Sequence, residues 1–252
     1  DGRRLGGRIA DLKPALPEPR HPDLDVPRAE RMTREYLASV HSVDRNLGRL
    51  FAVLDERGLT ENTLVVFTSD HGFNMAHHGI WHKGNGRWLL KGEQGDRPNL
   101  WDTSLRTPAI VRWPGRIPAG STVDRTVTNL DWFPTLLAAA GVAMPEGAIV
   151  RGRNALPLAE GKAVEWDDDL FTQYQFWEWN QGGANLRSYR TREWKLIRDY
   201  RFPEHDALYH IANDPHETTN LFGSDDPAAK SARANLETRM RAAMARIGDT
   251  AE

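Results

Sequence analysis

One short segment of the chain collects side chains that can bind a cation. Asp70 and His71 directly follow an apolar run, and a carboxylate with an adjacent imidazole can reach the same ion. Carboxylate oxygen suits a hard cation such as Ca²⁺ or Mg²⁺. Gly72 then allows the backbone to turn sharply. Taken alone, this triplet is also a common turn, so a purely structural interpretation stays open.

The same segment continues with groups suited to an anion. His77, His78 and His82 precede Lys83 in a short loop, but no helical H-x-x-x-H pattern with a glutamate is present to indicate zinc. A lysine can pair with a sulfate or phosphate oxygen, and a protonated histidine can donate to a leaving-group oxygen. The segment therefore favours an anionic substrate beside a metal, although a lone lysine is often only a solvated loop cation.

Two elements are predicted to position this segment. Apolar residues recur every three or four positions from Ala29 to Arg57, which predicts a long amphipathic helix. The run from Thr63 to Thr68 is rich in β-branched residues and apolar on both faces, which predicts a buried strand of the parallel type. A helix followed by a buried strand is typical of an α/β sheet, whose ligands bind beyond the carboxyl ends of the strands.

The rest of the chain is predicted to divide at about residue 150. Residues 1–28 are proline-rich and predict an extended segment. Before residue 150 we expect a strand over Ala109 to Arg112, a helix over Asn129 to Ala140, and a surface loop over Gly84 to Asn99. Beyond it, the sequence predicts a hairpin (Leu186 to Arg190 with Trp194 to Tyr200), a strand over Ala207 to Ile211 and a terminal helix over Pro227 to Ile247.

Composition excludes several classes of protein. The 252 residues include no cysteine, so disulfides, thiolate metal sites and cysteine nucleophiles are excluded within this chain. A net charge of −2 gives no general attraction to nucleic acid. The mean hydropathy is −0.61, and the longest apolar runs are far shorter than the roughly 20 residues that a membrane span needs.

The order and spacing of these motifs resemble the sulfatase family of the alkaline-phosphatase superfamily. A strand ending in Ser-Asp-His-Gly, with a lysine following at this spacing, is typical of that family, and the resemblance covers most of residues 29–222. The similar segments are Thr68 to Gly72, His78-Gly79, Trp81 to Gly84, Leu105 to Gly115, Asp131 to Leu137, Arg190-Thr191, Trp194 to Ile197, Leu208-Tyr209 and Asp214 to Leu221.

The resemblance implies a role for each residue of the segment. Asp70 and His71 would be ligands of Ca²⁺, or less readily Mg²⁺, and Lys83 would bind a sulfate oxygen. His78 would line the site or else hold the loop, while His77 and His82 would be loop or subsite residues. The substrate would be a sulfated small molecule or glycan, and from the composition we expect no nucleic-acid partner and no membrane span.

The resemblance also implies the fold. It is an α/β chain, part of an alkaline-phosphatase-like sandwich with a mainly parallel sheet, plus a small C-terminal α+β subdomain with an antiparallel sheet. Residues 29–150 would be the C-terminal portion of the catalytic domain, and residues 151–252 would be the subdomain.

The chain departs from the family pattern at the nucleophile. Sulfatases use a formylglycine made from a C/S-x-P-x-R motif, and neither that motif nor the family's paired N-terminal aspartates are found here. We therefore expect the nucleophile and the remaining metal ligands upstream, and the chain alone to be inactive. Two alternatives stay open: a phosphodiesterase or phosphonate monoester hydrolase of the same superfamily, and a non-catalytic sugar- or sulfate-binding module.

Signals for the substrate itself are weaker. Aromatic residues between Tyr174 and Trp179 precede Asn180-Gln181, and such a cluster either stacks on sugar rings or belongs to the core. Arg187 and Arg190 either meet an acidic group of the substrate or lie on the hairpin face. Trp101-Asp102 stands where many relatives show Tyr-Glu, and we expect the preceding loop, Gly84 to Asn99, to shape a different substrate pocket.

Overall fold

The computed structural model describes residues 13–177 and 183–251. The first element is a long helix, α1 (Val26–Glu56), which follows an irregular segment. It begins at Asp25, whose carboxylate accepts a hydrogen bond from the Arg28 backbone N–H at 3.2 Å. The predicted helix over 29–57 is thus confirmed, with its start three residues earlier. In contrast to the buried Ala29, much of its apolar stripe is exposed, namely Leu37, Val40, Val43, Leu50 and Val53.

The strand that precedes the candidate site pairs differently from the sequence prediction. Strand β1 (Val65–Thr68) lies antiparallel to β6 (Ala109–Arg112), and these two strands form a separate sheet. All strand pairs within residues 13–177 and 183–251 are antiparallel, so a mainly parallel sheet is not present in the described chain. Apolar residues on both faces of β1 indicate a demand for burial, and they do not specify the direction of the neighbouring strand. Phe67 is still 37% exposed here.

The predicted surface loop over Gly84 to Asn99 is wrong. The segment contains most of a hairpin that completes a second, four-stranded sheet in the order β2-β3-β4-β5. Leu89 and Leu90 are buried in it and pack with the residues around Leu24 and Ala29. The strands of this sheet are β2 (Asn74–Met75), β3 (Ile80–His82), β4 (Asn85–Trp88) and β5 (Asp96–Pro98).

Three short helices connect these sheets to the rest of the chain. Helix α2 (Asp102–Leu105) lies between β5 and β6 and was not predicted. The predicted helix over 129–140 forms as a 3₁₀ turn, Asn129–Asp131, that leads directly into α3 (Trp132–Ala139). A reciprocal capping box between Thr128 and Asp131 explains its start. A one-turn helix, α4 (Leu156–Ala159), follows.

The C-terminal part is an antiparallel sheet covered by one helix, as predicted. Its strands run in the order β10-β9-β8-β7, and α5 (Pro227–Ile247) packs on β8 and β9. Leu236, Met240 and Met244 of α5 meet Leu196 and Leu208 of the sheet in one core cluster. The strands are β7 (Leu170–Phe176), which was not predicted, β8 (Ala184–Arg190), β9 (Lys195–Asp199) and β10 (Ala207–Tyr209). No helix in the described part of the chain is long and apolar enough to cross a bilayer.

Candidate active site

The carboxylate and imidazole predicted as metal ligands lie together just beyond β1. The Asp70 side chain is 83% exposed, and its Oδ1 lies 3.7 Å from Nε2 of His71. The Nδ1–H of His71 donates to the carbonyl oxygen of Gly72 at 2.7 Å. In the neutral ring, that bond leaves the lone pair on Nε2, on the side of Asp70. Fixing the distal nitrogen by a backbone carbonyl is how proteins orient metal-binding imidazoles.

Asp70 is held in its ionised form. A hydrogen bond from its own backbone N–H is the main reason that the pKa of Asp70 lies below its usual value. His71, the Ser69 hydroxyl and the Lys83 ammonium lower this pKa further. The charge of Lys83 therefore acts on Asp70, although thirteen positions separate the two residues in the sequence.

The backbone that carries Asp70 is fixed by contacts that sequence reasoning missed. Asn129 donates its side-chain amide to the carbonyl oxygens of both Ser69 and Asp70, at 3.1 Å each. Gly72 donates its N–H to the Ser104 carbonyl oxygen at 2.9 Å. A Cβ at Gly72 would approach the Arg106 carbonyl oxygen to 2.7 Å, so only glycine fits against α2. No local sequence signal marks Asn129, since its partners lie about sixty residues away in the chain.

Lys83 sits at the end of β3 and is half-buried. The residue before it, His82, has a positive φ of 97°, a conformation that is rare for residues other than glycine. Nδ1 of His82 lies 3.3 Å from the Asn85 side-chain oxygen, and its ring packs edge-on against Phe73. His82 thus belongs to the loop that carries Lys83.

His78 is placed against an aromatic ring. Its imidazole stacks on Trp101 with 4.0 Å between ring centroids and 14° between planes. Burial, together with the charges of His77 and Lys195, lowers the pKa of His78 to about 4. A pKa this low favours the neutral ring near pH 7, and the proton-donor role considered from the sequence stays a prediction. His77 is half-buried, and burial and His216 lower its pKa also.

The substrate signals of the C-terminal half are largely structural. Arg187 is only 1% exposed and pairs with Asp249 at 2.7 Å, so its guanidinium is not available to a substrate. Arg190 pairs with Asp102 at 3.3 Å. Tyr174 and Phe176 pack on the hydrophobic core, which favours the structural interpretation for them. Trp177 is 72% exposed, and Trp179, Asn180 and Gln181 lie outside the described residues.

A buried charge cluster joins the neighbourhood of the site to the C-terminal sheet. Lys195 is fully buried, and its Nζ lies 2.8 Å from Asp102 and 2.7 Å from Glu217. Burial opposes the ionisation of Asp102, but Lys195 and Arg190 outweigh it and lower its pKa. Burial raises the pKa of Glu217. Since Asp102 is the first residue of α2, this cluster fixes the helix on which Gly72 rests.

The donor set fits part of a metal site. Asp70 offers carboxylate oxygen and His71 an oriented imidazole, both suited to a divalent cation. Across residues 13–177 and 183–251, no third histidine, cysteine, aspartate or glutamate completes a cluster with them. These residues can therefore supply two ligands and leave the remaining coordination to other groups.

Comparison with known families identifies the class of protein. The chain matches the family model described as "Sulfatase" over residues 10–142. It also matches "N-sulphoglucosamine sulphohydrolase, C-terminal" over residues 92–246. Each match covers more than half of the chain, so the chain belongs to the sulfatase family, and the predicted family is confirmed. Proteins of this family generally use a divalent metal.

Individual relatives agree with this assignment. N-acetylglucosamine-6-O-sulfatase of Bacteroides thetaiotaomicron is 32% identical over 206 residues, which is 80% of this chain and 34% of the relative. Human steryl-sulfatase is 36% identical over 143 residues, which is 55% of this chain and 24% of the relative. The chain thus spans about a third or less of the length of these two relatives.

Solved structures confirm the fold class, an α/β alkaline-phosphatase-like fold. BT4656 in complex with its substrate D-glucosamine-2-N,6-O-disulfate superposes with a TM-score of 0.72 at 30% identity. That similarity covers 86% of this chain and 41% of the other. The phosphonate monoester hydrolase of Agrobacterium radiobacter gives a TM-score of 0.70 at 28% identity, covering 87% of this chain and 43% of the other.

Proposed function

We propose that this chain forms one wall of the active site of a sulfuric ester hydrolase. The observation that carries the proposal is the pairing of Asp70 with His71 beyond β1 in a chain of the sulfatase family, with the charge of Lys83 lowering the pKa of Asp70. A cation site beside a fixed ammonium suits a tetrahedral anion, whose oxygens can be shared between the two.

Each of the three residues has a proposed role. Asp70 and His71 bind a divalent cation, to which a carboxylate oxygen is suited, and the family resemblance makes Ca²⁺ the first candidate and Mg²⁺ the second. When bound, this cation polarises the sulfate oxygens. Lys83 pairs with a sulfate oxygen and neutralises the charge that grows on it during S–O cleavage.

His78 is proposed to line the site as a neutral ring. Its stacking on Trp101 fixes its plane, and its low pKa keeps it uncharged near neutral pH. A neutral imidazole can still donate one hydrogen bond to a substrate oxygen, without placing a second positive charge beside Lys83.

The nucleophile is proposed to come from sequence outside this chain. By family resemblance it is a formylglycine, and residues 1–252 contain neither a cysteine nor a Ser-x-Pro-x-Arg motif. We accordingly expect no turnover by the isolated chain. Residues 29–150 are proposed as part of the catalytic domain and residues 151–252 as the subdomain. The C-terminal sheet that begins at Leu170 supports this division, although the match to the C-terminal family model runs from residue 92 to 246, across the proposed boundary.

The substrate is proposed to be a sulfated glycan or a smaller sulfate ester. One similar structure holds a disulfated glucosamine, and one similar relative is an N-acetylglucosamine-6-O-sulfatase. A second candidate function, phosphonate monoester hydrolysis, is favoured by the similarity to the Agrobacterium enzyme. Both reactions place a tetrahedral anion between a cation and Lys83, so the geometry described here is compatible with either.

The test uses the protein that carries this chain together with its upstream sequence. Hydrolysis of an aryl sulfate and of an aryl phosphonate monoester is measured with and without added Ca²⁺ or Mg²⁺. We expect the sulfate ester to be preferred. Preference for the phosphonate would favour the second candidate, and binding of sulfated glucosamine with no turnover of either ester would favour a binding module.

Matched variants test the residue roles. Lys83→Ala should lower kcat on the aryl sulfate by about 10²-fold, as expected for loss of one charge-stabilising contact. Lys91→Ala removes an exposed lysine of the same sheet region and should leave kcat unchanged. Asp70→Asn should weaken metal binding, measured by calorimetry, whereas Asp225→Asn alters a 99% exposed carboxylate and should not. Equal effects within either pair would contradict the site assignment.

A further inference from the structure

One fully buried side chain, Asn74, lies between the segment that carries Lys83 and the helix α2 on which the candidate metal-ligand loop rests. Asn74 is 0% exposed and uses all of its polar groups. Its amide donates to the His82 carbonyl oxygen at 2.8 Å and to the Ser104 hydroxyl at 2.7 Å, and its oxygen accepts from the Thr103 hydroxyl. Sequence reasoning gave Asn74 no role, because its partners are up to thirty residues away.

The partners of Asn74 connect it to the candidate metal ligands. Ser104, which accepts from Asn74, also accepts the Gly72 N–H on its backbone carbonyl at 2.9 Å. Its hydroxyl donates to the Asn99 side-chain oxygen at 2.7 Å. The loop that follows Asp70 therefore rests on the same residue of α2 that Asn74 contacts.

The same network encloses Lys83. On its N-terminal side, the His82 carbonyl is bound by Asn74. On its C-terminal side, the Gly84 carbonyl accepts the Asn99 backbone N–H at 2.7 Å. The carbonyl groups of the residues immediately before and after Lys83 are thus hydrogen-bonded to Asn74 and Asn99, which both contact Ser104.

The backbone of His82, the residue before Lys83, is strained, and its carbonyl is the one that accepts the hydrogen bond from Asn74. His82 has a φ of 97°, and such a conformation costs on the order of 1–3 kcal/mol in a residue that is not glycine. It persists only when surrounding contacts enforce it. The Asn74 amide is a buried donor aimed at the carbonyl of that strained residue.

We propose that Asn74 is a positioning residue that holds the strained His82 backbone and so directs Lys83 towards the anion beside Asp70. The proposal rests on the proposed function for the meaning of Lys83, but the positioning itself is a property of this chain. A displacement of about 1 Å at a catalytic group can lower a rate by about 10²-fold. Asn74 is fully buried, and it acts through Lys83.

The decisive variant is Asn74→Asp, which keeps the shape and the acceptor but removes both donors. In the protein with its upstream sequence, kcat on an aryl sulfate should fall by about 10²-fold, and more than KM rises. Asn220→Asp is the control: Asn220 also donates to a backbone carbonyl, that of Asp206 at 2.9 Å, but within the C-terminal sheet. It should leave kcat within about twofold. If Asn74→Asp does not fold, Ser104→Ala removes one contact of Asn74 and should give a smaller fall in kcat.

A double-mutant cycle separates positioning from a purely structural role. In a Lys83→Ala background, Asn74→Asp should cost little further activity, because its effect passes through the missing ammonium. Independent, multiplicative losses would overturn the proposal, as would an equal loss of kcat in Asn220→Asp.

A readout without turnover distinguishes failure of this inference from failure of the proposed function. Hydrogen exchange of the peptide 80–86 should accelerate in Asn74→Asp and stay unchanged in Asn220→Asp. If the wild-type protein hydrolyses no sulfate ester, the proposed function fails, yet this measurement still decides whether Asn74 orders the segment of Lys83. Unchanged exchange in Asn74→Asp would refute the positioning role.

Discussion

Replacing Lys195 by methionine should destabilise the protein strongly. The ammonium is completely buried and is the shared partner of two carboxylates, Asp102 at 2.8 Å and Glu217 at 2.7 Å. Removing one partner of a buried ion pair typically costs about 3–5 kcal/mol, because a charge is left uncompensated. Asp102 keeps Arg190 at 3.3 Å, whereas Glu217 has no second cationic partner among the described residues. We expect a loss of about 3 kcal/mol, since Glu217 can take up a proton.

The stability cost of Lys195→Met should depend on pH, in a direction that follows from the pKa values of the two carboxyl groups. Without Lys195, the pKa of both carboxyl groups should rise in the folded variant, because burial already raises that of Glu217. A folded state with raised carboxyl pKa values binds more protons than the unfolded chain, so its stability falls as pH rises through those values. The difference in unfolding free energy between wild type and variant should therefore be larger at pH 8 than at pH 5.

The assay is urea unfolding of purified protein, with a matched surface lysine as control. Lys162 pairs with Glu160 at 2.5 Å but is 64% exposed, so Lys162→Met should cost about 0–1 kcal/mol at most. The reasoning is refuted if Lys195→Met costs less than about 1 kcal/mol, or if its cost is the same at both pH values.

Three further predictions concern the site and the sheet. Gly72→Ala should abolish metal binding measured by calorimetry, because its Cβ would collide with backbone oxygens of α2 and displace the ligand loop; retained affinity would contradict this. Trp101→Leu should raise the pKa of His78 from about 4 towards 6.5, because the stacked ring that buries the imidazole is lost. NMR titration measures this pKa, and a value still near 4 would exclude burial by Trp101 as the cause. Arg187→Met should destabilise the fold by about 3–5 kcal/mol, measured by urea unfolding, because Arg187 is buried against Asp249. The KM of the folded fraction should stay unchanged. A raised KM would indicate that Arg187 contacts the substrate.

Sequence reasoning succeeded where structure depends on local periodicity. Helix α5 was predicted with the bounds that the structure shows, Pro227–Ile247, because a proline begins it and Gly248 in a left-handed conformation ends it. It failed for β2 to β5, whose strands have two to four residues and are defined by their pairing rather than by a period. Glycine-rich composition indicated a loop over Gly84 to Asn99, whereas Gly86 lies in β4 and packs closely against the Ile80 side chain.

The candidate site shows the same division. The motif that contains Asp70, His71 and Lys83 is recognisable in the sequence, so these residues could be identified without a structure. Their roles stay predictions. Asn74 and Asn129 depend on partners thirty to sixty residues away, and no local pattern reports such contacts.

The exposed apolar stripe of α1 shows what periodicity does and does not report. Val43 and Leu50 recur at the helical spacing that predicted a buried face, yet they are 50% and 51% exposed. Phe67 on β1 and Ile110 on β6 are also exposed, at 37% and 61%. Apolar residues on a helix and on both strands of the two-stranded sheet are therefore exposed despite a pattern that predicts burial. The apolar pattern thus indicates residues that require burial. It does not specify the direction in which β1 pairs with its neighbour, and the predicted parallel pairing is wrong.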